Sequence, residues 1–409
     1  MYNEAAMSEK LSPILADLNE KQRDVVLTTK GPLLVIAGAG SGKTRALTHR
    51  IAHLIMECGV SPGQILAVTF TNKAAGEMRD RVVKLLGVKD EKNEDGSPKT
   101  VQIPTLGTFH SVCSRILRKH IHQLDFENQF VIYDGSDQLV LMKHLMKDLH
   151  FDEKQLNPRS VLSHISNAKN KLVSPHHYSA MADSHFAEKV ARLYGPYQEA
   201  LKKNNAFDFD DLLLKTIELF NKFPAILDFY QEKFRYIHVD EYQDTNYAQY
   251  ILTNMLAAKY RNLCVIGDHD QSIYSWRGAT MQNILDFEKD YPETKVITLE
   301  QNYRSSQNIL DAAHSVIVRN TQRRDKKLWT EKEGGSLISL WTAENERHEG
   351  ELVATTIKTI LKQHEFPDYR DFVALYRTNA QSRVLEEVFI RYGIPYKIIG
   401  GVRFYERKE

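Results

Sequence analysis

The chain has 409 residues, with 54 lysines and arginines against 53 aspartates and glutamates, a formal net charge of +1 and 42% hydrophobic residues. This balance excludes a disordered or fibrous chain. No apolar run approaches the ~18 residues of a membrane-spanning helix, and the polar start MYNEAAMSEK lacks the apolar centre of a signal peptide. We therefore expect a cytoplasmic protein of two or three domains with no membrane partner.

Short apolar runs alternate with segments of helical periodicity along most of the chain. The strand candidates, in chain order, are PLLVIAG, QILAVTF, YIHVDE, NLCVIGD, KVITLE, LISLW, FVALYR and YKIIGG. Between them, stretches such as TRALTHRIAHLIMEC repeat apolar residues at helical spacing. Strands that alternate with helices predict an α/β fold with a mostly parallel sheet.

Two segments interrupt this alternation. Residues 89–100 are charged and contain no apolar residue, which predicts a solvated loop. Residues 119–205 are polar and helical, so we expect a helical insertion that divides a first α/β domain into 1–118 and 206–297. A second α/β lobe is predicted over 298–409, where three or four strand candidates make an incomplete sheet.

The run LLVIAGAGSGKTR has the strand, glycine-rich turn and helix start of a phosphate-binding loop. Glycines allow backbone N–H groups to turn toward phosphates at a helix N-terminus. Lys43 is then expected to neutralise the β- and γ-phosphates, and Thr44 to ligate Mg²⁺. The candidate nucleotide-binding residues follow Ala37 and are Gly38, Ala39, Gly40, Ser41, Gly42, Lys43, Thr44 and Arg45.

A phosphate loop requires a metal-holding acid at the end of a neighbouring strand, and YIHVDEYQD supplies one. Asp240 is predicted to hold Mg²⁺, and Glu241 to orient and deprotonate the attacking water. Gln271, after the next strand, is predicted to contact both a γ-phosphate and that water. An acidic pair after a strand is a weak signal by itself, because such pairs also cap helices, but with the phosphate loop upstream it indicates nucleotide hydrolysis.

The segment SIYSWRG places aromatic residues beside a cation. Exposed Tyr274 and Trp276 next to Arg277 suit stacking on the bases of single-stranded nucleic acid. For this segment by itself, aromatic side chains packed in the protein core are an equally acceptable interpretation.

The sequence FDFDDLLL has two possible interpretations, since Asp208, Asp210 and Asp211 fit either a nuclease metal cluster or a helix start. We expect the helix start.

The motifs in order resemble superfamily 1 DNA helicases of the UvrD, PcrA and Rep group, along nearly the whole chain. The matching segments are LNEKQ for the Q motif, AGAGSGKTR for motif I, TFTNKAAGEMR for Ia, GTFHSVCSRILR for Ib, VDEYQD for II, GDHDQSIYSWRGA for III and LEQNYRSSQNIL for IV. The resemblance implies two lobes related to RecA, with the insertion as subdomain 1B, and ATP-driven translocation from 3' to 5'.

The resemblance also implies further site residues. Gln22 would read the edge of adenine, Tyr303 would stack on its ring, and Arg304 would reach the γ-phosphate. The implied partners are single-stranded DNA and duplex junctions, with ATP and Mg²⁺ as cofactors. The residues implied to contact DNA are Phe70, Thr71, Asn72, Thr108, His110, Tyr274, Trp276 and Arg277.

The family's subdomain 2B and motifs V and VI have no counterpart in this chain. The resemblance therefore predicts a truncated helicase with impaired turnover, acting in repair or replication. Two alternatives stay open. One is the motor part of a RecB-like helicase-nuclease, and the other is a nucleotide-gated DNA-binding module that does not turn over.

Overall fold

The computed structural model describes residues 12–87, 102–274, 278–320, 325–332, 334–363 and 368–399. The predicted solvated loop at 89–100 lies outside these residues. Trp276 and Arg277 also lie outside them, so the stacking and strand-positioning roles predicted there have no structural description.

A parallel six-stranded sheet occupies the centre of the first part of the chain, in the strand order β3-β2-β6-β7-β1-β8. Its strands are β1 Leu33–Ala37, β2 Ile65–Thr69, β3 Thr105–Thr108, β6 Tyr236–Val239, β7 Leu263–Gly267 and β8 Lys295–Leu299, and a small parallel pair consists of β4 Val131–Ile132 and β5 Ala206–Phe207. Five strands predicted from the sequence are therefore confirmed, and the fold is mixed α/β with a parallel central sheet.

Helices cover both faces of this sheet, which is why its central strands are apolar throughout. In β1, Leu34 and Ile36 contribute to the core on one face, and Leu33 and Val35 to the core on the other. The helices are α1 Pro13–Ala16, α2 Glu20–Leu27, α3 Lys43–Met56, α4 Asn72–Leu85, α5 Phe109–His120, α6 Gly135–Asp148, α7 Pro158–Asn170, α8 Pro175–Met181, α9 His185–Lys203, α10 Phe209–Lys222, α11 Pro224–Lys233, α12 Tyr247–Ala257, α13 Gln282–Asp290, α14 Gln307–Ile317, α15 Glu346–Gln363 and α16 Ser382–Arg391.

The predicted helical segment before residue 206 has a core of its own. Helices α6, α7 and α9 bury Met142, Ile165, Leu193 and Tyr197 against one another. Lys169 of α7 is fully buried and forms ion pairs with Asp208, which caps the neighbouring α10, and with Asp211 in its first turn. Among the described residues, no helix is both long and apolar enough to cross a membrane.

The chain divides into two compact units, 1–335 and 336–409. Strand β8 pairs with β1 in the first sheet, and the first unit continues beyond motif IV. The division into a first domain of 1–118 and 206–297, an insertion of 119–205 and a second lobe of 298–409 remains a prediction.

The second unit packs α15 against α16 around Ala354, Ile357, Val388 and Phe389. The strands predicted at LISLW and FVALYR, and at the described part of YKIIGG, do not form in the described residues. Leu340 is 95% exposed and Leu375 is 90% exposed. These predictions were wrong because a parallel strand needs hydrogen-bonding neighbours, and no described segment of this unit pairs with these runs.

Candidate functional site

The phosphate loop has the strand, turn and helix order that the sequence predicts. It connects β1 to α3, and Gly40 and Gly42 adopt left-handed φ angles of 69° and 83°. A Cβ atom on Gly38 would lie 2.2 Å from a methyl carbon of Leu328, and one on Gly40 would lie 2.7 Å from Nδ2 of Asn302. The loop therefore requires glycine for both its backbone conformation and its close contacts. This backbone cradle fits a nucleotide phosphate.

Lys43, the first residue of α3, reaches across the sheet edge to the acidic pair. Its Nζ donates to Oε2 of Glu241 at 3.0 Å, and its side chain is buried. The two residues lie 198 positions apart in the sequence. They meet because the carboxyl ends of parallel strands share one edge of the sheet, where ligands of α/β proteins bind.

Asp240 follows β6 directly and is buried beside Thr44. Burial, followed by the nearby Glu241 carboxylate, raises the pKa of Asp240 to about 6, while Lys43 and a hydrogen bond with Thr44 act in the opposite direction. Thr44 and Asp240 thus place two side-chain oxygen groups beside the loop. Mg²⁺ in nucleotide sites is commonly held by one or two protein oxygens together with substrate phosphates, so this pair fits Mg²⁺.

Glu241 has a strained backbone. Its φ angle is 51°, a left-handed conformation that is uncommon for a residue other than glycine. In this conformation its carboxylate accepts from both Lys43 and the Nε2 of Gln243, the latter at 2.8 Å. Strained residues of this kind are concentrated at functional sites.

Gln271 belongs to the same polar network. Its Nε2 donates to the carboxylate of Asp268, and the Asp268 N–H donates to Oε1 of Gln243 at 2.9 Å. Gln271 is therefore connected to Glu241 through Asp268 and Gln243. Sequence reasoning missed these two linking residues, although both lie inside motifs that it had identified.

Gln22 is buried against the phosphate loop, and its Nε2 donates to the Ser41 carbonyl at 3.0 Å. Its side chain and that of Asn19 cap α2 reciprocally. Asn19 also donates to the hydroxyl of Tyr303 at 2.7 Å. The two residues predicted to contact adenine are thus joined by Asn19, which the sequence analysis did not single out.

Motif IV lies directly on the phosphate loop. Nδ2 of Asn302 donates to the Ala39 carbonyl at 2.6 Å, and the Tyr303 N–H donates to the Gly40 carbonyl at 3.0 Å. The Cβ of Arg304 lies 2.8 Å from where a Cβ of Gly40 would stand, so this arginine is beside the loop. The remaining candidate, Arg45, is exposed and lies 3.7 Å from the carboxylate of Asp17.

Two residues predicted to stack on bases stack on each other. The ring centroids of Phe70 and Tyr274 are 4.7 Å apart, with an angle of 28° between the rings. Phe70 follows β2, and Thr71 caps the N-terminus of α4, where Asn72 is the first residue. These residues form one partly exposed surface, to which Tyr274 is brought from a distant part of the sequence.

Thr108 and His110 occupy a second position beside the sheet. The Thr108 hydroxyl accepts from the Ser111 N–H and caps α5. His110 contacts the ring of Phe209 edge to face, with centroids 6.0 Å apart, and burial lowers its pKa. Both side chains have protein contacts that fix their positions, and their predicted contacts with DNA remain predictions.

The acidic run before α10 is a helix start, as expected. Asp208 caps the helix and Asp211 completes a reciprocal capping box. Lys169 lies 2.6 Å from Asp208 and 2.9 Å from Asp211, so a lysine occupies the space between these carboxylates. Lys169 was not predicted, because no local pattern connects it with a segment 39 residues later.

Comparison with known proteins places these features in a family. The family model of the UvrD/REP helicase N-terminal domain matches residues 18–292, and that of the UvrD-like helicase C-terminal domain matches residues 297–409. Proteins named ATP-dependent DNA helicase PcrA from Staphylococcus epidermidis and Staphylococcus aureus are 50% identical over 400 residues. The match covers 98% of this chain and 53% of each relative, so the chain spans about half the length of these curated relatives.

Proposed function

Because the chain belongs to the UvrD/REP helicase family, we propose that it carries an ATP-driven motor that translocates from 3' to 5' along single-stranded DNA and acts at duplex junctions. The PcrA relatives are named as ATP-dependent DNA helicases. The proposal includes ATP and Mg²⁺ as cofactors, a cytoplasmic location and a role in repair or replication. It keeps the subdomain boundaries expected from the sequence.

The observation that best supports this proposal is the 3.0 Å contact between Nζ of Lys43 and Oε2 of Glu241. It brings a phosphate-binding group and a candidate general base to one point. Bound Mg²⁺-ATP would supply the phosphoanhydride bond whose hydrolysis drives movement. Lys43 and the backbone N–H groups of the loop would hold the phosphates, while Thr44 and Asp240 would hold the metal.

Each remaining residue has one task in this scheme. Glu241 orients the attacking water and accepts its proton, and Gln271 keeps that water in line. Arg304 offsets charge that develops on the γ-phosphate, an effect worth ~10³–10⁵ in rate for arginines of this type. Phe70 and Tyr274 give up their mutual contact to stack on bases.

The first prediction concerns Glu241→Gln, which keeps the side-chain shape and removes the base. We expect Mg²⁺-ATP to bind as before and hydrolysis to fall ~10²–10⁴-fold. Steady-state hydrolysis is measured with and without single-stranded DNA, and nucleotide binding is measured by titration. Glu77→Gln, at an exposed position of α4, is the matched control. Unchanged turnover in Glu241→Gln would contradict the assignment.

The same assay decides between a motor and a binding module. A wild-type chain that binds nucleotide and DNA without hydrolysing ATP would replace the motor proposal with the nucleotide-gated module. The polarity of movement is tested by comparing displacement of streptavidin from the 3' and the 5' end of a labelled oligonucleotide.

The second prediction concerns Phe70→Ala. Loss of one stacking ring should weaken binding of single-stranded DNA by ~1–3 kcal/mol, with little dependence on base identity. Fluorescence anisotropy on oligothymidine and mixed sequences measures the effect. Phe229→Ala removes another exposed ring, on α11, and should leave affinity unchanged. Equal affinities of the two variants for single-stranded DNA would contradict the assignment of Phe70 to base stacking.

A further inference from the structure

A lysine outside the predicted site residues is buried against motif III. The side chain of Lys326 is 3% exposed and forms ion pairs with Asp268 and with Asp270, the latter at 3.0 Å. Lysine is almost never buried to this extent without charged partners. Lys326 follows Asp268 by 58 positions, so the fold and not the local sequence brings them together.

Asp268 is the centre of the network that these contacts stabilise. One of its carboxylate oxygens accepts from Nε2 of Gln271, and the other accepts from the Asp270 N–H at 3.0 Å. The Asp268 N–H donates to Gln243, whose side chain donates to Glu241. A continuous path therefore runs from Lys326 through Asp268 to both Gln271 and the candidate base.

The charges make Lys326 necessary to this arrangement. Asp268 is 2% exposed, and the side chain of Asp270 is 12% exposed, so two carboxylates with little access to water lie side by side. Removal of the partner of a buried charge is strongly unfavourable. Without Lys326, Asp268 would turn toward solvent, and Gln271 would lose the acceptor of its side-chain amide.

The segment that carries Lys326 also contacts the phosphate loop. The side chain of Leu328 covers Gly38, and the Trp329 carbonyl accepts from the Asn302 N–H at 2.7 Å. Lys326, Leu328 and Trp329 therefore contact motif III, the phosphate loop and motif IV, respectively. A displacement of this segment would change all three contacts together.

We propose that Lys326 is a positioning residue for ATP hydrolysis, which holds Asp268 so that the Gln271 amide stays in place for the γ-phosphate and the attacking water. This inference rests on the proposed function. Lys326 acts through Asp268 and Gln271 and does not itself contact the reacting atoms.

The first test measures how firmly motif III is held in place, in the absence of ATP hydrolysis. Hydrogen exchange of the unliganded 409-residue chain is compared between wild type, Lys326→Met and Lys327→Met, the latter an exposed neighbouring lysine. The backbone N–H of Asp270 donates to the Asp268 carboxylate, and that of Gln271 donates to the Asp268 carbonyl at 2.9 Å. In Lys326→Met, both should exchange at least ~10-fold faster, because Asp268 is no longer held in place. Peptides that cover β1 should be unchanged, and Lys327→Met should match wild type. Unchanged exchange at residues 268–274 of folded Lys326→Met would overturn the proposal.

The second test is a double-mutant cycle with Gln271→Ala. With Gln271 present, Lys326→Met should lower kcat by ~10–100-fold, since small misplacements have effects of this size, and leave the KM for ATP within about threefold. In the Gln271→Ala background, the same change should lower kcat by less than about threefold. Equal losses in both backgrounds would mean a purely structural role and would overturn the proposal. Lys326→Arg, which keeps the charge, should restore part of kcat.

The two tests distinguish a failure of this inference from a failure of the proposed function on which it rests. A wild-type chain without ATP hydrolysis would contradict the proposed function, and the exchange measurement would still decide whether Lys326 positions motif III. If Lys326→Met does not fold, Lys326→Gln, which also removes the positive charge, is measured in both tests against the same criteria.

Discussion

Strand β1 and the run FVALYR have similar apolar sequences and different structures. Leu33–Ala37 is fully buried, with β7 on one side and β8 on the other. In FVALYR, Val373 and Leu375 are 79% and 90% exposed, and no strand forms. The difference shows that an apolar β-prone run becomes a strand only where other strands supply hydrogen-bonding partners on its edges.

Two capping boxes show that the surroundings of charged residues also depend on the tertiary structure. Asp134 and Asp137 begin α6 with the same reciprocal hydrogen bonds that Asp208 and Asp211 use to begin α10. The first pair is exposed, whereas the second is buried against Lys169. The same local hydrogen bonds therefore contribute differently to the free energy of unfolding in the two regions, and substitutions in each region can measure the difference.

The largest effect on the free energy of unfolding is expected for Lys169→Met. This change leaves Asp208 and Asp211 buried without their cation, which typically lowers the free energy of unfolding by ~3–5 kcal/mol. Urea unfolding followed by circular dichroism measures the loss. Lys171→Met, at an exposed position just after α7, is the control and should change stability by less than ~0.5 kcal/mol. Similar losses in the two variants would mean that the ion pairs contribute little.

A matched pair of leucines tests the comparison between the two apolar runs. Leu34→Ala in β1 removes a fully buried side chain and should lower the free energy of unfolding by ~2–5 kcal/mol. Leu375→Ala removes one that is 90% exposed and should change it by less than ~0.5 kcal/mol. Thermal and urea unfolding measure both variants. A large loss for Leu375→Ala would show that FVALYR is packed in solution and would undo the contrast.

The smallest expected effect is on the pH dependence of the free energy of unfolding. Burial, followed by the Asp208 carboxylate, raises the pKa of Asp211 to about 6, against the influence of Lys169 and Lys215. The unfolded value is about 3.9, so the folded state binds the proton more tightly. The contribution of Asp211 to the free energy of unfolding should therefore decrease as pH rises from about 4 to about 6 and level off above.

Asp211→Asn removes this titration, and the dependence of stability on pH should become shallower by up to ~1.4 kcal/mol per pH unit in that window. Asp137→Asn, the exposed counterpart in α6, should keep the wild-type slope. Urea unfolding at a series of pH values between 4 and 7 measures the three slopes. Parallel curves for wild type and Asp211→Asn would contradict the assignment of the titration to Asp211.

Much of the first sheet could be predicted, because its strands are short apolar runs followed by polar residues at the site. The phosphate loop and the acidic pair were recognisable for the same reason, since each is a local pattern whose chemistry depends on adjacent residues. Lys326 and Lys169 were not predictable in this way. Each is an ordinary lysine in a polar stretch, and each acquires its role from carboxylates that lie far away in the sequence.

The sequence by itself determined the elements that depend on neighbours in the chain: the strands of the first sheet, the glycine turn before Lys43, the helix start at Asp208 and the family to which the motifs belong. The tertiary structure decided which of these segments meet. It placed Lys43 beside Glu241, Phe70 on Tyr274, and Lys326 against Asp268. It also left FVALYR without a partner strand in the described residues. The physical reason is that strand pairing and the burial of charge are satisfied by groups distant in sequence, and local composition does not specify those groups.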